Sequence, residues 1–153
     1  MYVETDLVFY NLPVLDQNEL FDFMADRLEK KDYVTEGFRG AIKKREKEFP
    51  TGLQLQDMNV AIVHTEAMYA KTEKLVVIKP EQSITFKNIE NLEPIEVDLV
   101  FGLILNNSEE HLEILQKISQ LLQQETIIQS ILNVTSKDEL TNFMQQHFNK
   151  TNH

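Results

Sequence analysis

Four histidines, His64, His111, His147 and His153, are the candidate nucleophiles of this 153-residue chain, which contains no cysteine. A neutral imidazole offers one nitrogen lone pair and one N–H, which suits nucleophilic attack, proton transfer or metal binding near neutral pH. The missing cysteines exclude a disulfide framework, thiolate zinc sites, iron–sulfur clusters and a cysteine nucleophile. His64 closes the β-prone run NVAIVH and is followed by Thr65-Glu66. Loops at strand ends hold reactive groups on a rigid scaffold, which marks this position out. His111 falls in the first turn of a predicted helix, near backbone N–H groups that favour anions. Composition alone leaves open the plainer reading, that each is an ordinary, partly exposed histidine. His147 suits the C-terminal end of the last helix and His153 the end of the chain, so neither calls for a role. His64, His111 and one of Glu66, Glu109 or Glu110 are suitable metal-ligand types, but HxxxH and HExxH spacings are absent. No metal or other cofactor is therefore expected. Four glycines form no phosphate-cradling loop, and a GxSxG nucleophile elbow is absent too.

The elements that must position these residues follow from pattern. LVFY at 7–10 reads as a strand ended by Asn11-Leu12-Pro13, and Asp16-Gln17-Asn18-Glu19 is a capping signal ahead of Leu20, Phe23, Met24 and Leu28. That predicts a helix ending near Lys31. Thr35 is the expected N-cap of a second helix, GFRGAIKKREKEF, which must stop before Pro50. Between Thr51 and Asn106 the pattern becomes short β-branched runs, NVAIVH, KLVVIKP, SITFK and IEVDLVFGLIL. The near-continuous apolar character of Val97 to Leu105 predicts a central strand covered on both faces. Helical periodicity returns with Leu112, Leu115, Ile118, Leu121 and Leu122, then a shorter segment TIIQSILNV. Ser136-Lys137-Asp138-Glu139 opens a last helix through Phe143, Met144 and His147. No repeat, low-complexity segment or linker rich in Gly, Ser or Pro divides the chain. The expectation is a single α/β domain over 1–150, a mixed sheet with helices on both faces.

Fifteen Lys+Arg against 25 Asp+Glu give a formal net charge of −10. Such a field repels phosphate backbones, so nucleic acid is not an expected partner, while solubility is the simplest use of the charge. The longest apolar stretch, Leu99 to Leu105, is about a third of the roughly 20 residues a membrane span needs. The acidic N-terminal stretch MYVETDLVFY does not read as a signal peptide. A soluble chain that is neither exported nor inserted in a membrane is expected, in the cytoplasm.

The stretch REKEFPTGL at 45–53, followed by VAIVHTE at 60–66, resembles the "REKEFPTGL … VAIPHT" signature of enzyme IIA proteins of the bacterial sugar phosphotransferase system, fructose/mannitol type. The longer spacing between the two motifs, with LVFGLILNNSEEHLEILQKISQLLQ at 99–123, is most similar to the galactitol branch. The resemblance runs over nearly the whole chain. It implies the mannitol/fructose-type enzyme IIA fold and a phosphocarrier in which His64 accepts a phosphoryl group from phospho-HPr and passes it to a cysteine of a cognate enzyme IIB. It further implies Nε2 as the phosphorylated atom, His111 as a second active-site histidine and Arg45 as an arginine beside the phosphoryl group. Val63 stands where the family usually carries proline; valine shares proline's bias toward extended backbone but keeps an N–H donor. The chemistry needs no metal or nucleotide, because one imidazole lone pair suffices as a reversible acceptor and donors at fixed positions stabilise the loose transition state. Two other readings stay open: a regulatory enzyme IIA-like phosphoprotein that controls a partner, and a metal-dependent hydrolase.

Overall fold

The computed structural model describes residues 3–149. Chain order is β1 (Val8–Leu12), α1 (Gln17–Lys30), α2 (Phe38–Glu48), β2 (Gly52–Gln54), β3 (Asn59–Val63), β4 (Lys74–Pro80), β5 (Ile84–Lys87), β6 (Pro94–Val97), β7 (Leu99–Ile104), α3 (Ser108–Leu122), α4 (Glu125–Leu132) and α5 (Lys137–Phe148). Five strands form one mixed sheet in the order β1-β4-β7-β3-β2, and β5 and β6 form a separate antiparallel hairpin. β1 runs parallel to β4 and β3 parallel to β7, while β4–β7 and β2–β3 are antiparallel.

The central strand is β7, and all six of its residues are buried. Its side chains alternate between two cores. Leu99, Phe101 and Leu103 join the cluster built with α3, α4 and α5, through residues such as Ile118, Ile131 and Met144. Val100 and Ile104 join the cluster built with α1, α2 and the hairpin, through Met24, Ile42 and Phe86. This strand therefore reads as continuously apolar because it has no solvent face, and each such aliphatic side chain contributes on the order of 1.5–3 kcal/mol by burial. Gly102 lets α1 sit close: a Cβ there would lie 2.7 Å from Met24 Cε and 3.1 Å from Val76 Cβ.

Helix starts follow the capping chemistry. Asp16 accepts from the Glu19 N–H at 2.8 Å and Ser136 Oγ from the Glu139 N–H at 3.1 Å. In both, the glutamate reaches back one residue beyond the cap, to the Leu15 N–H and the Thr135 N–H, each at 3.2 Å. Two elements differ from the sequence expectation. α2 is capped at Gly37, without a side-chain bond, because Thr35 is tied into an isolated turn: its N–H donates to the Tyr69 carbonyl and its own carbonyl accepts from Phe38. The run IEVDLVFGLIL is two strands, β6 in the hairpin and β7 in the main sheet. Asp98 separates them, its N–H turned to the Asn59 carbonyl at 2.9 Å.

Candidate active site

Because β3 and β7 are adjacent and parallel, with Val63 in register with Gly102, both strands end at the same edge of the sheet. His64 comes immediately after β3. After β7 the chain passes through Leu105 and Asn106 to Asn107, whose side chain caps α3 by accepting from the Glu110 N–H at 2.9 Å, and His111 follows in the first turns of α3. Sheet topology thus brings together two histidines far apart in sequence: their ring centroids are 4.7 Å apart, at 86°. Arg45, in the last turn of α2, supplies the third wall, its guanidinium carbon 4.5 Å from the centre of the Phe49 ring. These three side chains line a cavity of about 230 Å³ together with Thr65, Glu66, Leu105 and Asn107. A larger cleft of about 650 Å³, lined by Lys43, Lys44, Lys47, Lys87 and Glu46 among others, holds no histidine. Chemistry rather than volume selects the smaller one.

His64 Nδ1 lies 3.1 Å from the Ile62 carbonyl oxygen. A carbonyl only accepts, so in the neutral ring Nδ1 carries the proton and Nε2 keeps the lone pair. Burial pushes the His64 pKa below its ordinary 6.5, and nearby His111 and Arg45 act the same way, against the Ile62 bond and Glu66. Burial, then Arg45, lowers His111 as well. Both rings are therefore neutral at pH 7, and His64 is ready as a nucleophile. Arg45 Nε is buried without a hydrogen-bond partner among the described residues, a donor left over for an anion where such groups are ordinarily satisfied. The Glu66 carboxyl is held below its ordinary value by a hydrogen bond from Thr65 Oγ1, with a backbone bond and the charges of Arg45 and Lys44 adding to it.

The arrangement offers one lone pair for attack and two donor-bearing side chains for a compact anionic electrophile. The cavity is smaller than the ~300–1,000 Å³ usual for drug-sized ligands. Large apolar side chains stand exposed beside it in sequence: Phe49 four residues after Arg45, Met68 four after His64 and Leu112 next to His111. Exposed apolar side chains so close in sequence to the lining residues suit a protein surface that delivers the electrophile.

Of the other sequence candidates, Glu66 lines the cavity, whereas Glu109 and Glu110 do not line it. Among the described residues no group of three or more His, Asp or Glu side chains is placed to hold a metal ion. His147 packs on Phe143 with ring centroids 4.4 Å apart, away from the site; His153 lies outside the described residues. Sequence reasoning missed Glu46. It is 4% exposed and accepts from the Thr51 N–H and from Thr51 Oγ1, both at 2.7 Å. Burial pushes its carboxyl up to about 7, against the pull of the two Thr51 bonds. A signal existed: Phe38, Ile42 and Glu46 follow one another at four-residue spacing, so the glutamate occupies the buried face of α2.

No helix among the described residues is long and apolar enough to cross a membrane. A family model described as "Phosphoenolpyruvate-dependent sugar phosphotransferase system, EIIA 2" matches residues 1–147. The "PTS system galactitol-specific EIIA component" of Escherichia coli K12 is 28% identical over 120 residues, covering 78% of this chain and 80% of that protein. Among solved structures, the Nitrogen Regulatory Protein IIA-Ntr of Neisseria meningitidis superposes with a TM-score of 0.76 at 25% identity, covering 93% of this chain and 95% of that one. A chain in the complex of enzyme IIAMTL and phosphorylated enzyme IIBMTL from Escherichia coli superposes with a TM-score of 0.72 at 21% identity, covering 93% and 96%; that likeness is one of fold.

Proposed function

Because this chain belongs to the EIIA 2 family of the phosphoenolpyruvate-dependent sugar phosphotransferase system, a family of phosphotransferase components, we propose that it is a cytoplasmic phosphocarrier with His64 as acceptor. The donor is the phosphohistidine of HPr, and the recipient is a cysteine of a cognate enzyme IIB. The observation that supports this best is the tautomer imposed by the Ile62 carbonyl, which leaves the Nε2 lone pair free. In the first transfer an Nε2–P bond forms as the donor's N–P bond breaks, and the donor nitrogen takes back its electron pair. In the second, the cysteine thiolate attacks phosphorus, an S–P bond forms as the Nε2–P bond breaks, and Nε2 regains its lone pair. The proton stays on Nδ1, donated in a hydrogen bond to the Ile62 carbonyl throughout, so His64 needs no general base. The Arg45 guanidinium and a His111 N–H act on the charge carried by the equatorial phosphoryl oxygens. The exposed Phe49, Met68 and Leu112, close in sequence to the lining residues, suit docking of both protein partners in turn.

The galactitol-specific relative supports a place in sugar uptake of the galactitol type. The likeness to the nitrogen regulatory protein supports a second reading, in which phosphorylation of the same His64 controls a partner. Incubation with phosphoenolpyruvate, enzyme I and HPr, followed by intact-mass measurement, tests the shared step. One acid-labile phosphoryl group is expected on the wild type and none on His64→Gln, since the amide has similar size and no nucleophilic lone pair. Labelling of His64→Gln at the wild-type rate overturns the assignment. Onward transfer to an enzyme IIB cysteine then separates the transport reading from the regulatory one.

A further inference from the structure

We propose that Glu46 is a positioning residue for phosphoryl transfer, holding Arg45 in place through a carboxylate clip on Thr51; the proposal rests on the reading of His64 as the acceptor. The guanidinium of Arg45 has an unpartnered Nε and rests over the Phe49 ring at 4.5 Å. Arg45 depends on that ring for its place against the two histidines. Phe49 in turn stands 55% exposed at the C-cap of α2, held by its own N–H to the Arg45 carbonyl at 2.8 Å and followed by Pro50. A ring so placed is fixed by its backbone rather than by the core. What fixes the backbone is Glu46, whose two carboxyl oxygens take both donors of Thr51, at 2.7 Å each. The clip closes the segment 46–51 into a short loop with Phe49 inside it. Its far end is anchored as well: Gly52 carries the chain into β2, its carbonyl accepts from the Ile89 N–H at 2.8 Å, and a Cβ on it would lie 2.6 Å from the Lys87 carbonyl oxygen. Glu46 and Arg45 are sequence neighbours on a helix and point to different faces, so the carboxylate acts on the guanidinium through the loop.

The test is the rate of phosphoryl transfer from phospho-HPr in a double-mutant cycle. Glu46→Ala is expected to slow transfer by about tenfold to a hundredfold, the scale of a misplacement near 1 Å, lowering kcat with KM for phospho-HPr unchanged. Glu46→Gln is expected to restore most of the rate, because its amide oxygen accepts from the Thr51 N–H and its NH₂ donates to Thr51 Oγ1. In an Arg45→Ala background, Glu46→Ala is expected to change the rate by less than about twofold, since groups acting as one unit are non-additive. Equal slowing in both backgrounds would show a structural role alone and overturn the proposal, as would a folded Glu46→Ala as fast as wild type. If Glu46→Ala does not fold, Thr51→Val carries the same cycle: it deletes one bond of the clip and keeps the other. Slowing by Thr51→Val only when Arg45 is present supports the proposal, and its absence overturns it. A wild type that phospho-HPr cannot label would instead remove the acceptor reading itself, and this inference with it.

Discussion

Replacing Glu46 by glutamine should change how stability depends on pH far more than it changes the structure. Glu46 is 4% exposed and its carboxyl is pushed up to about 7 from an ordinary 4.5, because burial outweighs the two Thr51 bonds. Between pH 4.5 and 7 the folded protein holds a proton that the unfolded chain has released. Stability from this group is therefore fully present below pH 4.5 and lost as the pH rises through 7. At 1.36 kcal/mol per pH unit, the loss is about 3 kcal/mol by pH 8. Glutamine keeps the geometry of the protonated acid and has no charge to bury. The two proteins should thus be equally stable near pH 4, below both values, while at pH 8 the glutamine variant should be more stable by about 3 kcal/mol, or about 6–12 °C in Tm for a chain of this size. Other groups titrate in the same range: His64, His111 and His147, all lowered, push stability upward as the pH rises toward 6.5. They contribute equally to both proteins, so the difference between two series of urea unfolding curves from pH 4 to 8 isolates Glu46. Parallel curves across that range would refute the reasoning.

Arg45→Ala and His111→Ala should each retain labelling by phospho-HPr but slow it by about 10²–10³, the usual worth of one charge-stabilising donor, as read by rapid-quench kinetics. Gly52→Ala should lower stability by about 1–3 kcal/mol in urea unfolding, because the added Cβ meets a backbone oxygen, Lys87 O at 2.6 Å, that cannot rotate away. Leu92, exposed between β5 and β6 with φ of 62°, occupies the left-handed region without needing its side chain for the core. Leu92→Gly should relieve about 1 kcal/mol of backbone strain and raise Tm by about 2–4 °C, measured by calorimetry.

Local signals in the sequence were enough for the helices around the site. The Asp16 and Ser136 caps and the two-faced burial of β7 each follow from spacing within one segment; of the expected α3 stripe, Leu115, Ile118, Leu121 and Leu122 pack inward, whereas Leu112 is exposed and Ile114 is buried instead. His64 and His111 stood out for similar local reasons, one at a strand end and the other at a helix start. Their meeting had no local signal, because it depends on β3 and β7 being parallel neighbours, and strand order is a property of the whole sheet. The break at Asp98 was hidden for the opposite reason: one polar residue inside an apolar run looks like a solvent-facing strand position, whereas here the chain changes sheets. Thr35 has the right chemistry for a cap, yet a distant partner, the Tyr69 carbonyl, claims its backbone N–H. Glu46 was obscured by its company, a charged residue within REKE whose burial shows only when Phe38 and Ile42 are counted with it.

The register of β3 against β7 behaves as a vernier for the imidazole pair. Val63 opposite Gly102 sets how far each strand runs before it releases its histidine. A slip of one residue would send each side chain into the wrong one of the two cores, so the smallest slip that keeps both cores is two residues, about 7 Å along the strand. That exceeds the 4.7 Å between the two rings, and no side-chain rotation would restore the pair. Chemical competence is therefore all-or-none with respect to assembly of the central sheet: a collapsed or mispaired chain can hold its helices and still have no acceptor site. Phosphoryl uptake on His64 would report, molecule by molecule, that the sheet has closed in its one correct alignment.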